Sequence, residues 1–173
     1  MNLILIGMPA CGKSTVGVVL AKTAGMNFID TDLLIQQQEG MILQEILNQR
    51  GQDAFLKIEE KVLCSLDCND AVISTGGSAV YSEAGMKHLK EDGKIVYLNL
   101  PLNEIENRLQ NIKTRGIAME RGQTLSDLYE KRIPLYEKYS DIIIEAQGLS
   151  VEECIEVILD LTDFEHRTLK KES

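Results

Sequence analysis

The sequence is poor in several features that would mark particular classes of protein. Its 173 residues include only two histidines and four cysteines, which do not make the disulfide framework of a small secreted protein. No apolar run approaches the roughly 20 residues that a membrane-spanning helix needs. A short apolar stretch leads directly into a glycine-rich motif, without a basic segment or a cleavage site, so we expect no signal peptide. These absences favour a cytoplasmic protein.

Positive charge is also scarce. The chain has 18 lysines and arginines against 27 acidic residues, a formal net charge of −9, so a surface for nucleic acid would have to be built locally against the overall field. The length suits a single domain over residues 1–173, because no linker or internal repeat divides it. We expect a monomer without nucleic-acid or membrane partners, and a frayed segment at residues 164–173.

The isolated cysteines and histidines leave several interpretations open. Cys64 and Cys68 are one helical turn apart and could share a metal ion, but no Cys or His pair elsewhere supplies further ligands, so we expect core packing. Cys11 lies inside the glycine-rich motif, where inward N–H dipoles would favour a thiolate; simple filling of space is the alternative. We expect His88 and His166 to be ordinary surface residues.

The most informative motif occupies residues 7–14, Gly-Met-Pro-Ala-Cys-Gly-Lys-Ser, which match the phosphate-binding pattern G-x-x-x-x-G-K-[ST]. An apolar run precedes it and a helical pattern follows, as such a loop requires. In this motif the lysine reaches the β- and γ-phosphates of a nucleotide, and the serine hydroxyl joins the shell of a Mg²⁺ ion. The predicted nucleotide-binding residues are Ala10, Cys11, Gly12, Lys13, Ser14 and Thr15.

Short apolar runs alternate with helical patterns along the chain, which is typical of parallel β-α-β units. Strands are predicted at residues 2–6, 27–30, 71–75, 94–99 and 141–145. Helices are predicted at residues 14–24, 31–39, 42–66, 82–91, 101–112, 124–139 and 151–161. The pattern predicts an α/β fold of three layers, with a five-stranded parallel sheet between helices.

Ligands of such sheets bind beyond the carboxyl ends of the strands. Polar or glycine-rich segments follow two of the predicted strands, Asp30-Thr31-Asp32 and Thr75-Gly76-Gly77-Ser78, so we expect both to face the phosphate loop. Residues 113–123 have no apolar period and contain Arg115 and Arg121. They suit a lid that closes over bound nucleotide, although an ordinary charged surface loop is the alternative.

Four further motifs accompany the phosphate loop: Phe28-x-Asp30-x-Asp32, Gly51-x-x-x-Phe55-x-x-x-Glu59, Thr75-Gly76-Gly77 and Arg132-x-Pro134-Leu135-Tyr136. With this ordered set, residues 1 to about 161 resemble the shikimate kinase family, small P-loop kinases of the nucleoside-monophosphate-kinase type that serve aromatic amino acid biosynthesis. The resemblance implies transfer of the ATP γ-phosphate to a hydroxyl of a small ring acid, with Mg²⁺. It also implies a substrate-binding helical segment at residues 31–66 and an arginine-bearing lid at residues 113–123.

The resemblance implies a role for individual residues around the phosphates. Asp30 would contact the metal ion through water, next to Ser14, and Asp32 would bind the acceptor hydroxyl and could accept its proton. Capping of the following helix is the alternative for both aspartates, and it can coexist with catalysis. Arg115 would contact ATP from the lid and would act in catalysis with Lys13 and Asp32.

On the acceptor side, the backbone of Gly76 and Gly77 would lie against the substrate, with a simple turn at the strand end as the alternative. Arg132 would bind the substrate carboxylate through its planar guanidinium. The alternative for Arg132 is a surface ion pair.

The sequence departs from the family pattern in the acceptor half. Leu56 occupies the position of a second carboxylate-binding arginine; Lys57 could restore the charge, although one step along a helix turns a side chain by about 100°. Leu56 could equally be a core residue. Other departures are Ser78 for a third glycine, Gly116 in the lid, and Leu149 for a late arginine. They leave three alternatives open: a kinase for another small alcohol or hydroxy acid, a nucleoside-monophosphate kinase, or a non-catalytic nucleotide-binding module.

Overall fold

Five parallel strands form the centre of the fold. The computed structural model describes residues 1–110, 117–120 and 122–162. Its strands are β1 (Asn2–Ile6), β2 (Asn27–Asp30), β3 (Ala71–Ser74), β4 (Gly93–Asn99) and β5 (Ile142–Glu145), in the order β2-β3-β1-β4-β5. Every neighbouring pair is parallel. The predicted five-stranded parallel sheet is confirmed, and β1 lies at its centre.

Helices follow the strands in the order expected of β-α-β units. They are α1 (Lys13–Ala24), α2 (Thr31–Glu39), α3 (Leu43–Arg50), α4 (Gln52–Ser65), α5 (Glu83–Glu91), α6 (Leu102–Gln110), α7 (Leu125–Tyr139) and α8 (Val151–Leu161), with a 3₁₀ turn at Ala79–Tyr81. Six predicted helices correspond to these within one residue, apart from the end of 101–112, where residues 111 and 112 lie outside the described residues. The predicted frayed segment, 164–173, also lies outside them.

The apolar strands bury themselves between the helical layers. All five residues of β1 are buried, and so are all four residues of β3, as expected for strands covered on both faces. Gly17 lets α1 lie close to the sheet, because a Cβ atom there would come within 2.7 Å of the Phe28 ring. The main core therefore fixes the position of the loop that joins β1 to α1.

The prediction of one continuous helix over residues 42–66 is wrong. The structure has α3 and α4, which meet at Gly51 with φ 80° and ψ 173°, a conformation almost confined to glycine. The Gly51 N–H donates to the Leu47 carbonyl, and its own carbonyl accepts from the Phe55 N–H. The break turns the chain so that a second core can form, which comprises Ile35, Leu43, Ile46, Phe55, Val62 and Ala118.

The prediction of core packing is wrong for Cys64, which is exposed. Cys68 lies beyond the end of α4, is partly buried and packs against the main core, as predicted. No group of metal-binding side chains occurs among the residues that the structure describes. His88 is partly buried, with Nε2 2.7 Å from the Leu66 carbonyl oxygen, whereas His166 lies outside the described range.

Within the described part of the chain, no helix has the length and apolar character needed to cross a membrane.

Replacement of Gly51 should test the break between α3 and α4. We expect Gly51→Ala to lower the free energy of unfolding by about 1–3 kcal/mol, because alanine strongly disfavours this backbone conformation. Gly40→Ala is the matched control, since Gly40 is also a helix cap without neighbours around a Cβ atom but has φ 68° and ψ 20°, which alanine tolerates better. Urea denaturation of both variants would measure the difference, and equal losses would contradict this account.

Candidate active site

The loop between β1 and α1 forms a cradle of backbone groups. Gly7 has φ 144° and Gly12 has φ 103°. A Cβ atom on Gly7 would come within 2.7 Å of the Leu98 carbonyl oxygen, so the close packing of this loop requires glycine. No described side chain caps the N-terminus of α1. Its first N–H groups can therefore serve an anion such as a nucleotide phosphate.

Lys13 is held against the inside of this loop. Only 7 % of the residue is exposed, and Nζ donates to the carbonyl oxygens of Gly7 and Met8 at 2.8 Å each. Cys11 is buried in the main core, and its Sγ lies 3.7 Å from Lys13 Nζ. The thiol therefore fills space behind the loop and at the same time contacts its cation.

Asp30 combines two geometries. Its Oδ1 accepts the backbone N–H of Asp32 at 3.0 Å and that of Leu33 at 3.3 Å, which is the predicted helix cap. Its Oδ2 accepts the Ser14 hydroxyl at 2.8 Å, and the Ser14 and Ser74 hydroxyls are 3.3 Å apart. Carboxylate and hydroxyl oxygens are suitable for Mg²⁺, so this cluster fits the metal that accompanies a nucleotide.

A central cleft lies at the carboxyl edge of the sheet. It brings together residues from the phosphate loop, from the start of α2, from the segment after β3 and from α7. Its lining includes Lys13, Ser14, Asp32, Gly76, Gly77 and Arg132, together with Pro9, Leu43, Phe55, Thr75, Ser78, Ile117 and Ala118. Six residues predicted for phosphate, metal or acceptor binding therefore share one cavity, although they are up to 119 positions apart in the chain (13 to 132).

The segment after β3 passes close to three side chains from other elements. A Cβ atom on Gly76 would clash with Glu59 Oε1 and lie 2.7 Å from Asp32 Oδ1, and one on Gly77 would lie 2.9 Å from Arg132 Nη1. Thr75 anchors the segment, because its hydroxyl donates to the Leu5 carbonyl at 2.9 Å. Both glycines therefore permit an approach that no other residue would allow.

Arg132 is buried, with 1 % of its surface exposed. Nη2 donates to the Ala118 carbonyl at 2.9 Å, and Nε donates to the Tyr81 hydroxyl at 3.2 Å. Tyr136, one turn further along α7, donates to the Gly77 carbonyl at 2.7 Å. A surface ion pair for Arg132 is therefore excluded by its position.

The structure separates Lys57 from the central cleft. Lys57 is exposed and lines a neighbouring groove of about 280 Å³, whose walls also include Leu56, Glu59, Ser78 and Tyr81. Leu56 is half-buried and packs against the second core. Ser78 lines both cavities. The replacement at residue 56 and the lysine beside it therefore belong to this groove.

Part of the predicted lid, residues 113–116 and 121, lies outside the described residues. This part includes Arg115, Gly116 and Arg121. Residues 117–120 are described, and there Ala118 is buried and its carbonyl accepts the hydrogen bond from Arg132. The described part of the segment therefore contacts the acceptor side of the cleft.

Two candidate residues escaped the sequence analysis. Arg108, near the end of α6, donates to the Ala10 carbonyl at 3.3 Å and lines a groove with Gly12, Thr15 and Leu149. No motif in the sequence links Arg108 to the phosphate loop, because the two are far apart along the chain. Glu59 was noticed only as part of a motif. Because Phe55 and Val62 are buried on the same face of α4, the helical period could have predicted that Glu59 is buried as well.

Glu59 has an unusual environment for a carboxylate. It is 1 % exposed, and Oε2 accepts the Ser78 hydroxyl at 2.6 Å. Oε1 has no hydrogen-bond partner among the described residues. Burial is the main cause that raises the pKa of Glu59 to about 7, and the charge of Asp32 raises it further. The hydrogen bond from Ser78 and the charges of Arg132 and Lys13 act in the opposite direction.

Comparison with known proteins gives consistent results. A family model described as shikimate kinase matches residues 9–163. The shikimate kinase of Thermodesulfovibrio yellowstonii is 37 % identical over 161 residues, 91 % of this chain and 92 % of that protein. The shikimate kinase of Pasteurella multocida is 36 % identical over 169 residues, 95 % of this chain and 97 % of the other. A solved structure of Acinetobacter baumannii shikimate kinase in complex with shikimate superposes with a TM-score of 0.86 at 31 % identity, covering 93 % of this chain and 92 % of that one.

The raised pKa of Glu59 predicts a pH dependence of stability. Between its ordinary value of 4.5 and about 7, the folded protein holds a proton on this side chain that the unfolded chain releases. Its contribution to stability is therefore complete below pH 4.5 and is lost as pH rises through 7. We expect the free energy of unfolding of the wild type, relative to Glu59→Gln, to fall by about 2–3 kcal/mol between pH 5 and pH 8.

Urea denaturation across this pH range would measure the difference, since the carboxylates that do not interact with Glu59 contribute equally to both proteins. Glu45→Gln, a change at an exposed residue of α3, is the control and should run parallel to the wild type. A Glu59→Gln curve that is also parallel would show that Glu59 does not bind a proton on folding.

Proposed function

This chain belongs to the shikimate kinase family, and we propose that it phosphorylates a hydroxyl of shikimate with ATP as donor. The observation that carries the proposal is the shared cleft. Lys13 at the phosphate loop, Asp32 at the start of α2 and Arg132 on α7 line it together. A phosphoryl donor, an acceptor hydroxyl and an acceptor carboxylate can therefore be served side by side.

The proposed chemistry is transfer of the γ-phosphoryl group. The hydroxyl oxygen of the acceptor forms a bond to the γ-phosphorus, the bond to the β-phosphate oxygen breaks, and ADP leaves. Asp32 orients the hydroxyl and accepts its proton, and Lys13 offsets the charge on the phosphates. A Mg²⁺ ion held by Ser14 and Asp30 would supply further neutralisation of phosphate charge.

The remaining site assignments follow from the same proposal. Residues 10–15 bind the phosphates, and Arg115 contributes a second positive charge to the donor side. Gly76 and Gly77 present backbone to the acceptor, and Arg132 binds its carboxylate. Lys57 lines the neighbouring groove, so its proposed part in acceptor binding is limited to the edge of the site.

We further propose one domain over residues 1–173, with a lid at about 113–123 and an acceptor-binding segment at 31–66. The net charge of −9 supports a protein without a nucleic-acid partner. A monomer in the cytoplasm, without a membrane partner, completes this proposal.

A second candidate function is phosphorylation of a different small alcohol or hydroxy acid. It is favoured by two observations in the acceptor half. Leu56 brings no charge to the groove beside Glu59. Ser78, where the family pattern has a glycine without a side chain, donates its hydroxyl to Glu59 at 2.6 Å. The test for both candidates is ADP release by the purified protein with ATP, Mg²⁺ and either shikimate or a panel of small alcohols. Turnover of other alcohols without turnover of shikimate would favour the second candidate.

Replacement of Lys13 tests the donor side. We expect Lys13→Ala to abolish ADP release in the presence of shikimate, because the ammonium group acts on phosphate. Circular dichroism and thermal unfolding should show that the variant folds. Lys22→Ala is the matched control, since Lys22 is an exposed lysine on the same helix. Normal turnover by Lys13→Ala would remove the phosphate-loop assignment.

Replacement of Asp32 tests the acceptor side. We expect Asp32→Asn to lower kcat about 100-fold or more, because the amide keeps the shape of the side chain but cannot accept the proton. Steady-state kinetics with shikimate would separate two roles. A change confined to KM would instead make Asp32 a binding group without a part in proton transfer.

A further inference from the structure

The buried carboxylate of Glu59 is the feature that the proposed reaction leaves unexplained. Ser78 serves one of its oxygens, and the other has no partner among the residues that the structure describes. A carboxylate buried to this extent is costly unless a cation or a hydrogen-bond donor pairs with it. A ligand of the right chemistry could provide that donor.

The unpartnered oxygen is buried beside Gly76, in the wall between the central cleft, which Gly76 lines, and the neighbouring groove, which Glu59 lines. A Cβ atom on Gly76 would collide with Glu59 Oε1 and approach Asp32 Oδ1 to 2.7 Å. The oxygens of two carboxylates therefore flank the same face of Gly76, which lines the cleft. A donor group that lies over this glycine would face both of them.

The basic side chains that line the cleft, within the described residues, have other contacts. Lys13 Nζ donates to two carbonyl oxygens of the phosphate loop, and Arg132 donates to Ala118 and Tyr81. The neighbouring groove is lined by three acidic residues, Asp53, Glu59 and Glu60. Its one described basic residue is Lys57. Among the described residues, the cleft thus has one buried guanidinium on its acceptor side, and the adjoining groove has three carboxylates and one lysine.

We propose that the acceptor site also takes small hydroxy amino acids, whose ammonium group pairs with Glu59 and Asp32 over Gly76. An ammonium has three N–H donors and can serve both carboxylates, whereas a hydroxyl has only one. Arg132 faces the carboxylate of the amino acid, and the second oxygen of Asp32 faces its hydroxyl. The raised pKa of Glu59 agrees with a carboxyl group that becomes fully ionised when a cation binds.

This inference rests on the proposed phosphoryl transfer and adds a second class of acceptor to it. The side-chain oxygen of the amino acid bonds to the γ-phosphorus of ATP, the bond to the β-phosphate oxygen breaks, and the hydroxyl proton passes to Asp32 and then to solvent. The products are ADP and an O-phospho amino acid. The ammonium group takes no part in the bond changes and serves only for recognition.

The first experiment compares acceptors that differ only in the ammonium group. ADP release by the full chain is measured with L-serine, L-threonine and L-homoserine, and with their deaminated analogues 3-hydroxypropionate, 3-hydroxybutyrate and 4-hydroxybutyrate. Shikimate is measured in parallel. We expect at least one amino acid to be phosphorylated, with kcat/KM about tenfold to a hundredfold above that of its analogue, the value of one charge-assisted hydrogen bond.

The second experiment changes the protein. Glu59→Gln keeps the size of the side chain and removes its charge, so the ratio of kcat/KM for the amino acid to that for shikimate should fall at least tenfold. Leu56→Arg should lower the same ratio, because a guanidinium three residues before Glu59 on α4 can pair with it. Glu45→Gln, at an exposed residue of α3, is the matched control and should leave the ratio unchanged.

Each result decides a separate claim. Turnover of shikimate without turnover of any of the three amino acids would overturn this inference and leave the proposed function in place. Equal turnover of an amino acid and its deaminated analogue would also overturn it. Turnover of an amino acid but not of shikimate would support the inference and remove shikimate as acceptor. Absence of ADP release with every acceptor would overturn both.

Discussion

The close approach of three helices to the backbone after β3 is the constraint on which the site depends. Side chains of α2, α4 and α7 converge on Gly76 and Gly77, where a Cβ atom would meet Asp32, Glu59 or Arg132. This approach is possible only because both residues lack a side chain. The phosphate loop faces the same edge of the sheet, since β1 lies beside β3. The groups proposed to serve donor and acceptor therefore lie at one edge of the sheet.

Burial gives the charges in this site their effect. Arg132 and Glu59 are each 1 % exposed, and water therefore screens their interactions poorly. Arg132 is satisfied by a carbonyl and a phenol rather than by a carboxylate, which leaves its charge available to an anionic ligand. Glu59 has the opposite character, with one oxygen held by Ser78 and the other unserved by the described chain. An acceptor of the proposed kind would have to complement these two groups in charge.

Strands and helices with a clear apolar periodicity were predicted well. The helix break that depends on the backbone conformation of one residue, Gly51, was not. Strands with continuous apolar runs and helices such as α8 lie where the sequence predicted them. The break at Gly51 was missed because α3 and α4 share a helical composition. In the structure the backbone conformation of Gly51 separates the two helices, and Phe55 packs in the second core. Cys64 was misassigned for a related reason, since its burial depends on where α4 faces rather than on its residue type.

The sequence by itself determined the phosphate loop, the parallel α/β fold and the residue types of the site, because these depend on local spacing and on apolar periodicity. Only the tertiary structure decided which of those residues meet. It placed Arg132 in the central cleft and Lys57 in the neighbouring groove, and it set Glu59 beside Asp32 across Gly76. The physical reason is that these contacts join elements far apart in the chain, whose relative positions follow from the packing of the whole core.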